Sequence, residues 1–334
     1  MPKPSRDALR TPEGAIALRA CALAGLALLL GLLALLPGES ALRGLRVVPE
    51  ATRVSGERFP LELHNGAART SVATPPRRIA SVAVTADEIL ADFAISERIV
   101  GVSRFADDPR ASSAVGRFPS RITRLHGEAE SIVSLSPDFT IVSGYTHAER
   151  VALLESAGSA VFRLGRPQSF AAIDETIRRL GVALGARERA DALRAQIEER
   201  LETVARSVAG RPRPRVLFLS WAGYTSGPGT LLDEMIGRAG GYNVARDAGI
   251  EGTMPLSLEL ALSLRPEAVL TTGGAPGSAD SEPGLRRDPR WSQVEAVRSG
   301  RLFALDSALA LSTSHHAARA VAQIAAWLHP ESGP

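Results

Sequence analysis

A single cysteine, Cys21, is all the thiol that the chain carries. That excludes an internal disulfide, a Cys-x-x-Cys redox pair and a thiolate cage for zinc. Gly-x-Ser-x-Gly and His-Glu-x-x-His are also missing, so neither a nucleophile elbow nor a helical zinc-hydrolase motif is available. Aromatic residues make up only 4% of the chain, and no basic run is interleaved with them, which leaves no stacking track for nucleic acid. The formal charge is +3, but Lys3, Arg6, Arg10 and Arg19 outweigh Asp7 and Glu13 at the N-terminus, so the body is nearly neutral. The six histidines show no ligand-like spacing. His315 and His316 are adjacent, and on a helix they would diverge by about 100°. They read as a helix start with a polar contact, and no protein-only metal site is expected.

What is present is hydrophobic content of 45% over 334 residues, enough for two compact domains and a targeting segment. After a basic opening, the run Ala20–Leu36 fits an export signal, with a cleavage zone around Pro37, Gly38, Ser40 and Ala41. It is also near the lower length for a bilayer span, roughly 17 residues. Residues 1–41 therefore read as a signal peptide or as an N-terminal anchor, and both place the body outside the cytoplasm. Cys21 precedes the apolar run, which argues against a lipoprotein site. Residues 42–76 read as a tether with one edge strand near Phe59, Leu61 and Leu63.

The body is organised by a repeat. Glu130–Gly144, ESIVSLSPDFTIVSG, recurs as ELALSLRPEAVLTTG over Glu259–Gly273. Each copy has an acidic opening, a one-sided apolar segment, a stopping proline and a short apolar run ending in glycine: helix, turn, strand. The duplication predicts two αβ lobes, 77–186 and 211–330, each with its own small, mainly parallel sheet rather than one continuous core. Thr85 is placed to cap the first helix. Between the lobes, Ala190, Leu193, Ile197, Leu201, Val204 and Val208 recur at helical spacing without internal Gly or Pro. A helix over Arg187–Val208, within a connector 187–210, would be roughly 33 Å long and stiff. The turn S-G-P-G-T-L resembles the opening of a dinucleotide site, but Leu232 replaces the third glycine and Pro228 removes an amide. Gly274–Gly277 lacks the Lys-Ser/Thr end of a phosphate loop.

From about Phe59 to Pro330 the chain resembles the substrate-binding proteins of bacterial ABC importers for iron chelates and vitamin B12. The resemblance is carried by RRIASVAVTADEILADFAISERIVGVSRFADDP, ESIVSLSPDFTIV, SFAAIDETIRRLGVALG, TSGPGTLLDEMIGRAGGYNVA, SLELALSLRPEAVL and DPRWSQVEAVRSGRLFALD, in that order. It implies an α/β fold of two lobes joined by one long rigid helix, the helical-backbone periplasmic binding protein. It also implies a monomer without catalytic residues or resident cofactor, which takes an iron chelate (siderophore or haem) or cobalamin to a membrane permease. Glu130 and Glu259 match the positions at which this family docks on arginines of the permease. A carboxylate in a helix's first turn is also favoured without any partner.

Ligands of αβ sheets sit at the loops after strand ends. That rule selects Arg104 and Phe105, then Tyr145, on the first lobe, and Trp221, Tyr224 and Ser307 on the second. The aromatics could lie flat against a corrin ring or a catecholate, and Arg104 could meet an anionic complex. His316 falls where relatives often carry an arginine, and joins the candidates. Two other readings stay open: an enzyme using a nucleotide at Gly227–Leu232, and a membrane-anchored sensor or scaffold that keeps the fold without transport.

Overall fold

The computed structural model describes residues 50–330 except 67, 221, 274–281 and 311 and, for its side chain, 283. The expected signal or anchor lies outside these residues. Among the described residues, no helix is long and apolar enough to cross a membrane.

The span expected as a tether carries more structure than one edge strand. Strands β1 (Arg53–Ser55), β2 (Leu61–Asn65) and β3 (Ala68–Val72) form an antiparallel sheet in that order. Only β2 buries a regular face, through Leu61 and Leu63.

The first lobe alternates strand and helix except between β5 and β6: β4 (Ile79–Ser81), α1 (Val84–Phe93), β5 (Ile99–Ser103), β6 (Thr123–Leu125), α2 (Ala129–Val133), β7 (Phe139–Val142), α3 (Ala148–Ser156), β8 (Ala160–Arg163) and α4 (Phe170–Ala183). Its five strands are parallel in the order β6-β5-β4-β7-β8. The small N-terminal sheet covers the free edge at β8: Thr52 N donates to Arg163 O at 3.0 Å and Asn65 Nδ2 to Val161 O at 2.9 Å. Helix α5 (Arg187–Val208) then leads to the second lobe, burying Ala190, Leu193, Ile197 and Val204 along one stripe.

The second lobe comprises β9 (Arg215–Leu219), β10 (Tyr224–Ser226), α6 (Leu231–Arg238), β11 (Tyr242–Asn243), β12 (Thr253–Pro255), α7 (Leu258–Ser263), β13 (Ala268–Thr272), α8 (Glu282–Arg287), α9 (Glu295–Arg298), β14 (Leu302–Leu305), α10 (Ser307–Ala310) and α11 (Ala317–Leu328). Four strands are parallel in the order β11-β9-β13-β14, and β10 pairs with β12 in a separate antiparallel ribbon. Both repeat units contain the expected helix, turn and strand. They share a feature at the turn: Ser136 and Arg265, each just before the proline, have φ of 45°. The backbone must reverse between helix and strand there, and the proline keeps its predecessor out of the right-handed helical region.

The lobes have separate sheets but not separate cores. Buried side chains from the first lobe (Ile89, Phe93, Ile177), from α5 (Leu193, Ile197) and from the second lobe (Met235, Ile236, Val321, Ile324) belong to one apolar cluster. The outer face of each sheet has its own smaller cluster. Polar contacts tie the lobes as well. Glu234 of α6 accepts the Phe170 amide at the start of α4 at 2.8 Å. A second tie runs along α1. Thr85, Glu88 and Asp92, spaced to share one helix face, meet the segment Ser312–His315. Thr85 and Thr313 join through their hydroxyls, the Glu88 carboxylate accepts the Ser312 hydroxyl at 3.2 Å and the Ser314 hydroxyl, and His315 Nε2 lies 2.7 Å from Asp92 Oδ2. Thr85 thus spends its hydroxyl across the lobes instead of capping α1, whose N-cap is Ala83 with no side-chain bond.

Candidate ligand cleft

The Thr85–Thr313 contact joins the first turn of α1, which directly follows β4, to the segment after β14, so it ties together the C-terminal edges of the two sheets. Loops after the other parallel strands flank that junction. On the first lobe, β5 runs into a short 3-10 turn, Arg104–Asp107, whose first amides are held by the Ser103 hydroxyl accepting from Phe105 N at 3.1 Å. Arg104 and Phe105 are exposed, with the guanidinium 4.5 Å from the ring centroid. The loop after β7 carries Tyr145, 72% exposed and the most open of the large hydrophobic side chains among the described residues. Arg166, on the loop after β8, stands 4.9 Å over the Tyr145 ring. Strands β5 and β7 are two positions apart in the sheet, so the strand ends from which Phe105 and Tyr145 follow stand roughly 10 Å apart.

The loop under Tyr145 is built from below. Arg163, 4% exposed at the end of β8, donates Nη1 to the Thr146 carbonyl at 2.6 Å and to the Gly144 carbonyl at 3.5 Å. Burial pushes its guanidinium pKa down, with Glu155 opposing. Gly144 is required by close approach, since a Cβ there would stand 2.8 Å from the Leu164 carbonyl oxygen. Arg163 and Arg166 carry no sequence motif, and only the strand-end rule applied to β8 would have found them.

On the second lobe, Tyr224 is exposed and opens the ribbon, its amide bonded to the Ser220 hydroxyl at 3.0 Å. Across the ribbon Tyr224 pairs with Pro255 and Thr225 with Met254, which is also exposed. Ser307 is half-buried and donates its hydroxyl to the Gly273 carbonyl, linking the loops after β13 and β14. Trp221 and the Gly274–Gly277 turn lie outside the described residues. His316 stands at the N-cap of α11, the helix start expected of it. It follows the segment that climbs α1 to Asp92, seven residues or about 10 Å beyond Thr85, and stacks on His315 with centroids 3.9 Å apart. The two histidines do not diverge, because they sit in the turn before α11 and not on it. Burial, then the charges of His315 and Arg319, push the His316 pKa down to about 3.

The glycine turn has a structural explanation. A Cβ on Gly227 would come within 2.0 Å of the Ile250 carbonyl oxygen, and the Gly227 amide bonds Gly252 O at 2.8 Å. Thr230 caps α6 by accepting from Asp233 N at 3.2 Å, and Asp233 and Glu234 fill the first turn with negative charge. That charge opposes a phosphate.

Glu130 and Glu259 are exposed in the first turns of α2 and α7. Each helix leads into the N-terminal end of the next parallel strand, so its own N-terminus stands at the sheet edge that carries the candidate loops. Its own backbone amide and the Ser257 hydroxyl hold the Glu259 carboxyl below the usual range. The cavities of about 630 Å³ along α4 and α5 and 590 Å³ beside Phe59 and Phe93 are not lined by the residues after the strands, so they do not mark this site.

Comparison with known proteins is consistent with this layout. A family model described as periplasmic binding protein matches residues 79–309. The ABC transporter substrate-binding lipoprotein YvrC of Bacillus subtilis, uncharacterized, is 23% identical over 293 residues, covering 83% of this chain and 88% of that protein. The cobalamin-binding protein of Halobacterium salinarum is 30% identical over 251 residues, covering 72% of this chain and 64% of that protein. Among solved structures, the periplasmic heme-binding protein RhuT from Roseiflexus sp. RS-1, in apo form, superposes with a TM-score of 0.66 at 28% identity. It covers 76% of this chain and 98% of its own.

Proposed function

The chain belongs to the periplasmic binding protein family, and on that premise we propose that it captures a metallated tetrapyrrole, cobalamin or haem, between its lobes. It is an ABC transporter substrate-binding protein that acts outside the cytoplasm with a membrane permease as partner, and not an enzyme. The observation that carries the ligand class is the pair of arginine–aromatic stacks, Arg104 on Phe105 and Arg166 on Tyr145. Following strands whose ends stand roughly 10 Å apart on one sheet edge, they offer flat apolar surface with a positive charge beside each ring. A broad ring with acidic or amide side arms uses both at once. Relatives above 25% identity whose names state a ligand are named for cobalamin or vitamin B12 and for haem, which agrees with that choice. Residues 1–41 would export the protein or anchor it, and Glu130 and Glu259 would meet basic side chains of the permease. Exposed charges of this kind set orientation and encounter rate more than affinity.

The test is an absorbance titration of the purified protein with cyanocobalamin, haemin and a ferric tris-catecholate. Saturable binding at one equivalent is expected for a tetrapyrrole. Binding of the catecholate alone, or of none of the three, would refute the ligand class.

A further inference from the structure

Away from the cleft, the seam between the lobes gathers three metal-ligating side chains. We propose that Asp92, His315 and His316 form a site for a divalent transition-metal ion of the zinc and nickel class, bridging α1 of the first lobe to the entry of α11 in the second. One donor atom from each residue lies within 4.8 Å of the other two. Ligands of a four-coordinate zinc ion at about 2.0–2.1 Å stand about 3.3 Å apart, so the three can converge with small adjustments. The contact between His315 Nε2 and Asp92 Oδ2, at 2.7 Å, has to open by roughly half an ångström to admit the ion.

A second observation points to a missing partner. The His315 side chain is 7% exposed, yet neither of its ring nitrogens has a well-directed hydrogen bond, the close Asp92 oxygen included. Buried polar atoms in proteins are almost always partnered. A metal ion supplies a partner to one nitrogen in a direction that no protein group takes.

The surroundings select the kind of ion. Two imidazoles and one carboxylate favour borderline ions over magnesium or calcium, which require oxygen ligands. Arg117 Nη2 holds Asp92 Oδ1 at 2.7 Å and so turns Oδ2 toward the histidines, the usual part of an outer-shell group. The positive charge of Arg117, with Arg319 near His316, opposes a cation and keeps affinity moderate. Three protein ligands leave a fourth position open to water, since Asp92 and His316 are only half-buried. Because the ligands come from both lobes, the ion would lock the seam.

The full chain, stripped with a chelator and given no cargo, is titrated with zinc chloride and separately with cobalt(II) chloride. One equivalent of zinc is expected to bind and to raise the melting temperature. Asp92→Asn and His316→Ala should each weaken binding at least tenfold, whereas His126→Ala, at an exposed loop histidine, should not. In the unsubstituted protein, cobalt should give the intense visible bands of a four-coordinate site, a readout that does not depend on how the variants fold. Absence of those bands, or zinc binding unchanged by both substitutions, would overturn the site. The cargo titration uses other residues, so either proposal can fail alone.

Discussion

Arg163 reaches under Tyr145 and donates to the carbonyl of Thr146 at 2.6 Å, so a buried cation at the end of one strand fixes the loop after its neighbour. Among the described residues, the most exposed aromatic of the candidate cleft is therefore mounted on a rigid base, which limits what ligand binding must order. Arg163→Met leaves the Thr146 and Gly144 carbonyls without this donor. A loss of about 1–3 kcal/mol in stability is expected, together with weaker ligand binding, although Arg163 itself is too buried to touch the ligand. Thermal unfolding and ligand titration of the one variant check both effects.

Gly227 is predicted to serve packing and not a phosphate. Gly227→Ala drives a methyl group into the Ile250 carbonyl oxygen, so the melting temperature should fall by an amount equivalent to about 1–3 kcal/mol, as for overpacked sites. Wild-type protein should show no change in melting on addition of ATP or NAD.

The seam has a pH signature. Burial, against the opposing pull of the Ser113 amide and the Ser314 and Ser312 hydroxyls, raises the Glu88 carboxyl above its usual value. The folded protein then holds a proton that the unfolded chain releases first. This contribution is present below the ordinary glutamate pKa and is lost as pH rises through the higher folded-state value. Melting curves from pH 4 to 8 should show the wild type losing more stability with rising pH than Glu88→Gln. An identical pH dependence in the two proteins would contradict the assignment.

The paired acidic residues make a separable prediction. Glu130→Arg combined with Glu259→Arg should abolish cargo uptake by cells while leaving the affinity of the isolated protein within about twofold, as expected of exposed docking charges. Undiminished uptake would favour a scaffold that no longer serves transport.

Much of the architecture was legible because it rests on local pattern. Helix α5 announces itself through Ala190, Leu193, Ile197 and Val204 on one stripe with no breaker inside, and the repeat exposes α2–β7 and α7–β13 together. The N-terminal sheet was not, since β1 and β3 are short and largely exposed and only Leu61 and Leu63 alternate. The shared core was hidden for a different reason: a repeat shows that two units exist, not which faces they press together. Longest in range, the seam joins Glu88 to Ser314 through ordinary polar side chains more than two hundred residues apart. His315 and His316 were legible as a helix start with a polar contact, since His316 is the N-cap of α11 and His315 meets Asp92, but the divergence of helical neighbours does not apply to residues that precede the helix. Strand-end logic picked out Arg104, Phe105, Tyr145, Tyr224 and Ser307, which the fold does place just after strands, and passed over Arg163 and Arg166 because β8 was not followed to its end.

Calorimetric titration with the tetrapyrrole that binds, on Tyr145→Ala and Tyr224→Ala proteins, tests most directly whether the ligand is held between the lobes. Each substitution is predicted to weaken binding about tenfold or more, the usual loss of a stacking contact of 1–3 kcal/mol, although the two residues sit on different lobes. Affinity unchanged in both variants would contradict the account.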